Sequence, residues 1–425
     1  MKIAVVTRSF PSLSETFILN QITGLIDRGC EVDIYATKPV HSGVVHEDIE
    51  RYQVLEKTYY RPRLAVDHVL RLREAALLFS TNFRRAPLAL LRSLNFLKYG
   101  RRSMSLELLH AAIPFLDRPA YDVIHCHFGE TGLIAAHLKD IGLLHSPFIT
   151  TFHGFDVMVA PQKYQKGFYA PLFRSSDMCT VGSEFMKQRV RELGGDESRL
   201  TKLPVGVDLA KYNFTEREAA TRPHVRVLTV ARLVEAKGVE YALRAIARVI
   251  ARHQEIHYQI VGDGPLRERL QGLAGELEIA DHVSFLGGQS QGRISRLYEE
   301  ADIFVLPSII GTDGWQEGQG LVLMEAQATG LPIISTNTGG IPESIRDGET
   351  GFLVPERDVD SLAERLCFLI EHRHLRIQMG RAGRAHVEQN YDLNKLNDEL
   401  VRLYQMVIAQ DAKHPVPEST SLRHR

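Results

Sequence analysis

Cysteine is scarce in this chain: Cys30, Cys126, Cys179 and Cys367 are widely separated among 425 residues and form no CxxC pair. That spacing excludes a zinc ribbon or a disulfide framework and fits a reducing cytosol. A dominant charge is missing too, with 51 Lys and Arg against 52 Asp and Glu, which argues against the broad positive field of a nucleic-acid binder. No apolar run reaches the length of a membrane span. The opening "MKIAVVTRSFPSLSETF" has a short apolar stretch without a small-residue cleavage site, so it reads as a first strand and turn rather than a signal peptide. No short-period repeat or low-complexity tract is present. The expected location is the cytoplasm, with contact to a membrane surface left open.

What is present is a double series of alternating elements, and the length favours two units that each bury a core. "IAVVT" (3–7) reads as a strand and "ETFILNQITGLIDRG" as a helix, with Phe17, Ile18, Ile22, Leu25 and Ile26 at helical spacing. "EVDIYAT" then reads as a second strand, which makes a βαβ opening with a parallel sheet. Strands follow at "DVIHCHF", "FITTFHG" and "MCTVGS". A new series begins at "VRVLTVARL" (225–233) and continues through "HYQIVGDGP", "VSFLGG", "IFVLPS" and "LPIISTNTGG". Two such series predict two doubly wound Rossmann-like α/β domains, residues 1–205 and 222–390, joined between Pro204 and Pro223. The helical pattern "LNKLNDELVRLYQMVIAQ" follows, and 411–425 is expected to be a disordered tail.

The densest chemistry lies between Gly311 and Glu343, where a glycine-laced loop runs into the helical pattern Leu321, Leu323, Met324, Ala328. Glycines let backbone N–H groups approach an anion, and a helix N-terminus adds partial positive charge, so this is a phosphate cradle. Glu317 lies in the loop and Glu325 in the helix. A carboxylate beside a phosphate site is repelled unless it has another task, and accepting hydrogen bonds from sugar hydroxyls is the natural one. In "VARLVEAKG", Arg232 ends a strand and Lys237 precedes Gly238. Both can project from the carboxyl edge of the sheet, where open α/β sheets bind ligands, and together they neutralise a diphosphate. Taken singly, an Arg and a Lys in such a loop are usually solvated, and their pairing with the cradle is what raises them. "VGDGP" lacks the GxGxxG spacing of a dinucleotide fingerprint and reads as a tight turn at Gly262 lining the nucleotide pocket, with Leu286 at the edge for the base.

Together these residues resemble the retaining glycosyltransferases of the large GT-B family 4, which includes sucrose-phosphate synthases and many bacterial polysaccharide transferases. The resemblance covers nearly the whole chain, and its most specific element is the pair Glu317 and Glu325 in "EGQGLVLME". It implies a GT-B fold, two domains facing across a cleft, with the C-terminal helix (about 393–410) crossing back to the first. It implies that Glu317 binds donor-sugar hydroxyls, Glu325 the nucleotide ribose, and the amides of Gly318, Gln319, Gly320 and Leu321 the distal phosphate and sugar. Gln319 stands where the family usually has a bulky apolar residue. Arg232 and Lys237 would hold the leaving diphosphate. Family members need neither a metal nor another cofactor, and no DxD stands in a plausible loop. "TFHGFD" matches the family's HGxD element, which makes His153 a contact for the transferring sugar and places Asp156 on the acceptor side. For His125 and His127, structural and acceptor-lining roles both stand. The loop "SFPSLSETF" has Ser14, Glu15 and Thr16 where many relatives carry paired glycines, a variant similar to the exopolysaccharide branch with its colanic-acid-type transferases. Acceptor contacts or a helix N-cap both suit that loop.

The implied activity is transfer of a hexose from a nucleotide diphosphate sugar to a glycan hydroxyl, the acceptor being a polyprenyl-linked oligosaccharide, with the leaving phosphate helping to deprotonate the incoming hydroxyl. A sugar phosphorylase of related fold would need a lysine-bearing pyridoxal site. A dehydrogenase would need its glycine fingerprint in the opening turn, and a non-catalytic carbohydrate- or nucleotide-binding protein would not need Arg232 with Lys237. One segment stands outside this pattern: residues 61–102 hold ten Lys or Arg against Asp67 and Glu74, interleaved with "LLFS", "LALL" and "LNFL". It suits either an anionic membrane surface or a solvated helical pair with its apolar side packed on the first domain.

Overall fold

The computed structural model describes residues 1–12, 15–40, 47–164, 167–215 and 224–413. In the first half, β1 (Lys2–Ser9), β2 (Glu31–Lys38), β3 (Thr58–Tyr60), β4 (Val123–His127), β5 (Phe148–Phe152), β6 (Met178–Val181) and β7 (Leu200–Lys202) form one sheet in the order β3-β2-β1-β4-β5-β6-β7. In the second, β8 (Val225–Val230), β9 (Ile256–Val261), β10 (Val283–Gly287), β11 (Ile303–Leu306), β12 (Ile333–Thr336) and β13 (Gly351–Val354) take the order β10-β9-β8-β11-β12-β13. Every pairing is parallel. β4, β5 and β6 are buried at every residue, which is why they read as continuous runs rather than alternating ones. In both sheets the order reverses beside the first strand, and that reversal opens a crevice at the carboxyl edge.

The helices that matter here are α1 (Thr16–Asp27), α2 (His68–Asn82), α3 (Pro87–Ser93), α4 (Phe96–Tyr99), α5 (Gly129–Asp140), α6 (Val239–Ile250), α7 (Leu321–Ala328) and α8 (Leu393–Lys413). α8 returns to the first sheet, where Leu400, Leu403, Tyr404 and Val407 join Ile3, Val5, Ile18 and Leu25 in one core. Each such side chain contributes about 1.5–3 kcal/mol by burial. Arg28 fixes the crossing, donating to Asp398 and to the Asn394 carbonyl, both at 2.7 Å. The outgoing and returning passes of the chain lie side by side, with Val207 bridged to Asp392. α8 runs to Lys413, so Asp411–Lys413 belong to a helix and not to the expected tail; residues 414–425 lie outside the described set. Among the described residues no helix is long and apolar enough to cross a membrane.

Candidate active site

Two glycines set the cationic side of the crevice. Gly238 has φ +64°, and a Cβ there would lie 1.8 Å from the Pro307 carbonyl oxygen. Only glycine lets this turn press on the chain leaving β11, and that contact carries Lys237 to the loop before α7. Gly262, at φ +127°, would place a Cβ 1.8 Å from the Ala231 carbonyl oxygen. The turn after β9 thus braces the turn that carries Arg232, which stands exposed in the cleft.

Glu317 is 8% exposed and ion-paired with Lys237, whose Nζ also lies 4.6 Å from the centre of the Trp315 ring. The ammonium neutralises the carboxylate, which is how a glutamate can stand beside an anion site without repelling its ligand. The carbonyls of the loop point back into the protein. Glu317 accepts from Gly340 N–H at 2.8 Å, Gly318 from the Ser183 hydroxyl at 2.6 Å and Gln319 from the Ser344 hydroxyl at 2.7 Å. Among the described residues the N–H groups of Gly318, Gln319, Gly320 and Leu321 donate to no protein acceptor. They lie at the cleft, at the N-terminus of α7, where an anion would satisfy them. The Gln319 side chain turns away and binds both the N–H and the carbonyl of Val205 at 2.8 Å.

Across the cleft, the strand ends of the first sheet supply an aromatic and imidazole wall. His153 packs on Phe17 and Phe128, with ring centres 4.7 and 4.8 Å apart. Its Nε2 meets Nδ1 of His127 at 3.0 Å, and burial pushes its pKa down to about 3, so it is a neutral imidazole. Arg8, near the end of β1, lies over the Phe128 and Phe155 rings at 5.6 and 5.8 Å. The open space between the two walls is lined by Arg8, Glu15, His153, Arg232, Trp315 and Glu317 among others.

Several expected site residues are placed differently. Asp156 does not face an acceptor: it is fully buried, and its carboxylate accepts from the N–H groups of Gly129, His153 and Gly154 at 2.9, 3.0 and 2.9 Å. Burial outweighs those bonds and pushes its pKa up to about 7. Its work is to hold the His153 turn against the start of α5. Glu325 lies in a smaller depression beyond Leu321, with Lys211, Tyr212 and Gln291. It accepts from the Tyr298 hydroxyl at 3.0 Å, and burial raises its pKa. Thr16 lines that depression too, rather than the main cleft. Glu15 faces the main cleft and makes no cap bond to α1, while Ser14 lies outside the described residues. Gly262 and Leu286 line neither space. His125 is internal, bonded to the Tyr404 hydroxyl and the Thr151 hydroxyl at 2.7 Å each. Among the described residues no three His, Cys, Asp or Glu side chains converge on a metal position. Arg8, Phe17, Phe128 and Trp315 were not singled out from sequence, although Trp315 is the sole tryptophan and stands two residues before Glu317.

The chain matches the family model for Glycosyltransferase Family 4 over residues 14–211 and that for Glycosyl transferases group 1 over residues 215–386. A Salmonella typhimurium protein named as a colanic acid biosynthesis glycosyltransferase is 34% identical over 411 residues, 96% of this chain and 100% of that protein. The amylovoran biosynthesis glycosyltransferase of Erwinia amylovora is 32% identical over 92% of this chain and 96% of its own length. Among solved structures, an Anabaena protein in complex with UDP-glucose superposes with a TM-score of 0.69 over 96% of this chain and 100% of that one, at 16% identity. The sucrose-phosphate synthase of Thermosynechococcus elongatus does so with a TM-score of 0.69 over 96% of this chain and 100% of its own, at 19% identity.

Proposed function

This chain belongs to the glycosyltransferases of family 4 and group 1, and on that premise we propose that it moves a hexose from a nucleoside diphosphate sugar to a hydroxyl of a lipid-linked glycan, with retention at the anomeric carbon. Its two parallel-sheet domains are of the GT-B fold. The observation that carries the donor assignment is the group at the mouth of α7: four unpaired amides, the exposed Arg232 guanidinium, and Glu317 neutralised by Lys237. The amides and Arg232 receive the diphosphate, Lys237 helps to stabilise the charge that develops as it leaves, and Glu317 orients the sugar hydroxyls. Glu325 takes the ribose in the neighbouring depression. These fixed donors and cations supply the stabilisation without a metal. His153, held neutral and oriented by His127, faces the transferring sugar as a hydrogen-bonding group rather than a cation.

Names of the full-length relatives support a role in exopolysaccharide synthesis, and we assign the acceptor to the cytoplasmic face of a membrane. Release of UDP or GDP from a panel of nucleotide sugars, assayed with a membrane extract as acceptor and with chelator present, tests the reading. Glu317→Ala should lower turnover by about 10²-fold or more while the folded protein melts normally. Undiminished turnover in that variant would remove Glu317 from the site, and loss of activity in chelator would remove the metal-free proposal.

A further inference from the structure

Residues 61–104 carry apolar side chains on both faces, one packed on the first domain and one exposed. The fully buried positions of α2 are Ala75 and Asn82, with Phe79 packed partly buried against the first-domain core, whereas Leu72 and Leu77 are each 63% exposed. α3 and α4 continue the pattern: Leu88 and Leu97 face out while Ala89, Leu90, Ser93 and Tyr99 face in. Of the eighteen large apolar side chains exposed among the described residues, eleven lie between Val66 and Met104. Scattered exposed leucines are ordinary, but such a concentration marks an interaction surface. The same helices also pack on the first domain through Ala75, Phe79, Ala89, Leu90, Leu94 and Tyr99, so the packing that the alternative reading expected is present beneath this outer apolar surface.

The same surface is basic. Arg63, Arg73, Arg84, Arg85, Arg92, Lys98 and Arg101 are exposed there. Arg85 and Lys98 pair with Asp117 and Asp140 at 3.0 and 2.8 Å, while Arg73, Arg84 and Arg101 make no ion pair among the described residues. Of the two acids, Asp67 is engaged as the cap of α2, accepting from Leu70 N–H at 2.7 Å. From apolar side chains interleaved with unpaired cations we infer that α2, α3 and α4 dock on a bilayer surface containing anionic lipid. A second copy of this chain fits less well, because a two-fold contact would set these cations against their own images. The surface grows from the end of β3, at the carboxyl edge that also presents Arg8 and Phe128, with Arg61 N–H donating to the Ala36 carbonyl at 3.0 Å. A docked molecule therefore holds the first-domain wall of the cleft on the membrane side.

Flotation of the full chain with vesicles tests this and needs neither donor nor acceptor, so it can fail or succeed independently of the transfer reading. The protein should float with phosphatidylcholine vesicles containing phosphatidylglycerol at low salt, and not with phosphatidylcholine alone. Arg73→Gln with Arg84→Gln should weaken partition by about thirtyfold. Leu88→Glu with Leu97→Glu should abolish it, with melting temperature unchanged because these side chains already face solvent. Met406→Glu, an exposed apolar position elsewhere, should float as the parent does. The inference is overturned if the parent stays in solution, if both double variants float normally, or if the parent is a dimer that the leucine variant dissociates.

Discussion

At the scale of single residues, the buried imidazoles set a pH limit. Burial holds His125 and His153 at about 3, below the ordinary 6.5, and holds His127 well below it too. The unfolded chain therefore binds more protons between pH 6.5 and 3, and stability rises with pH across that window. Their contribution is fully present above pH 6.5 and is lost as pH falls toward 3. Urea unfolding at pH 7.5, 6 and 5 should show falling midpoints, and His125→Asn should flatten the slope by removing one of these groups. A parent slope of zero would show that protons reach these rings in the native state. This scale also shows what sequence can carry. The positions of Glu317, Arg232 and Lys237 were legible because each is a reactive type at a strand end or in a glycine loop, and that of Glu325 because the helical pattern follows that loop directly. Asp156 was misread because nothing in "HGFD" discloses that three N–H groups converge on its carboxylate, a fact of how β5 meets α5.

At the scale of elements, most strands were legible, and the three missed were β3, β7 and β13. All three lie at sheet margins; β3 and β7 have three residues, too few for a pattern to register, while β13 is as long as β6, β11 and β12 but opens on a glycine that reads as a turn. The return of α8 was implied by family resemblance, but its fit to α1 was not. A Cβ at Gly24 would lie 2.0 Å from the Asn397 amide nitrogen, and Asn397 is itself buried. Alanine at position 24 improves helix propensity by about 1 kcal/mol. Overpacking a buried contact costs about 1–3 kcal/mol, so Gly24→Ala should lower stability on balance. Asn397→Ala in the same background should recover part of the loss, since the two residues share one contact. Calorimetric melting of both variants and the pair decides it; additive effects would show that the helices do not meet there.

At the scale of the whole molecule, one of the groups that tie the two walls of the cleft together is a carboxylate that no local pattern marks. Glu343 follows β12 in the second domain, yet it accepts from Glu184 N–H at 2.8 Å and Phe185 N–H at 2.9 Å, the first donors of a helix in the first domain. Lys202 adds an ion pair at 3.3 Å, and Ser183, the cap of that same helix, donates to the Gly318 carbonyl at 2.6 Å. The helix end is thus completed by the opposite domain only when the cleft is narrow, and the contact joins closure directly to the loop that carries the free amides. Such charge-assisted bonds are worth about 1.5–3 kcal/mol each, less here because Glu343 is partly exposed, so a net of about 2 kcal/mol is the right scale. That corresponds to about a thirtyfold change in the ratio of closed to open molecules. Glu343→Ala should therefore enlarge the radius of gyration in small-angle scattering and weaken nucleoside diphosphate binding, although position 343 faces neither the amides nor Arg232. Nucleotide added to the variant should restore the compact profile, because a ligand that bridges both walls favours the closed form. An unchanged profile together with unchanged affinity would mean that closure does not depend on this carboxylate.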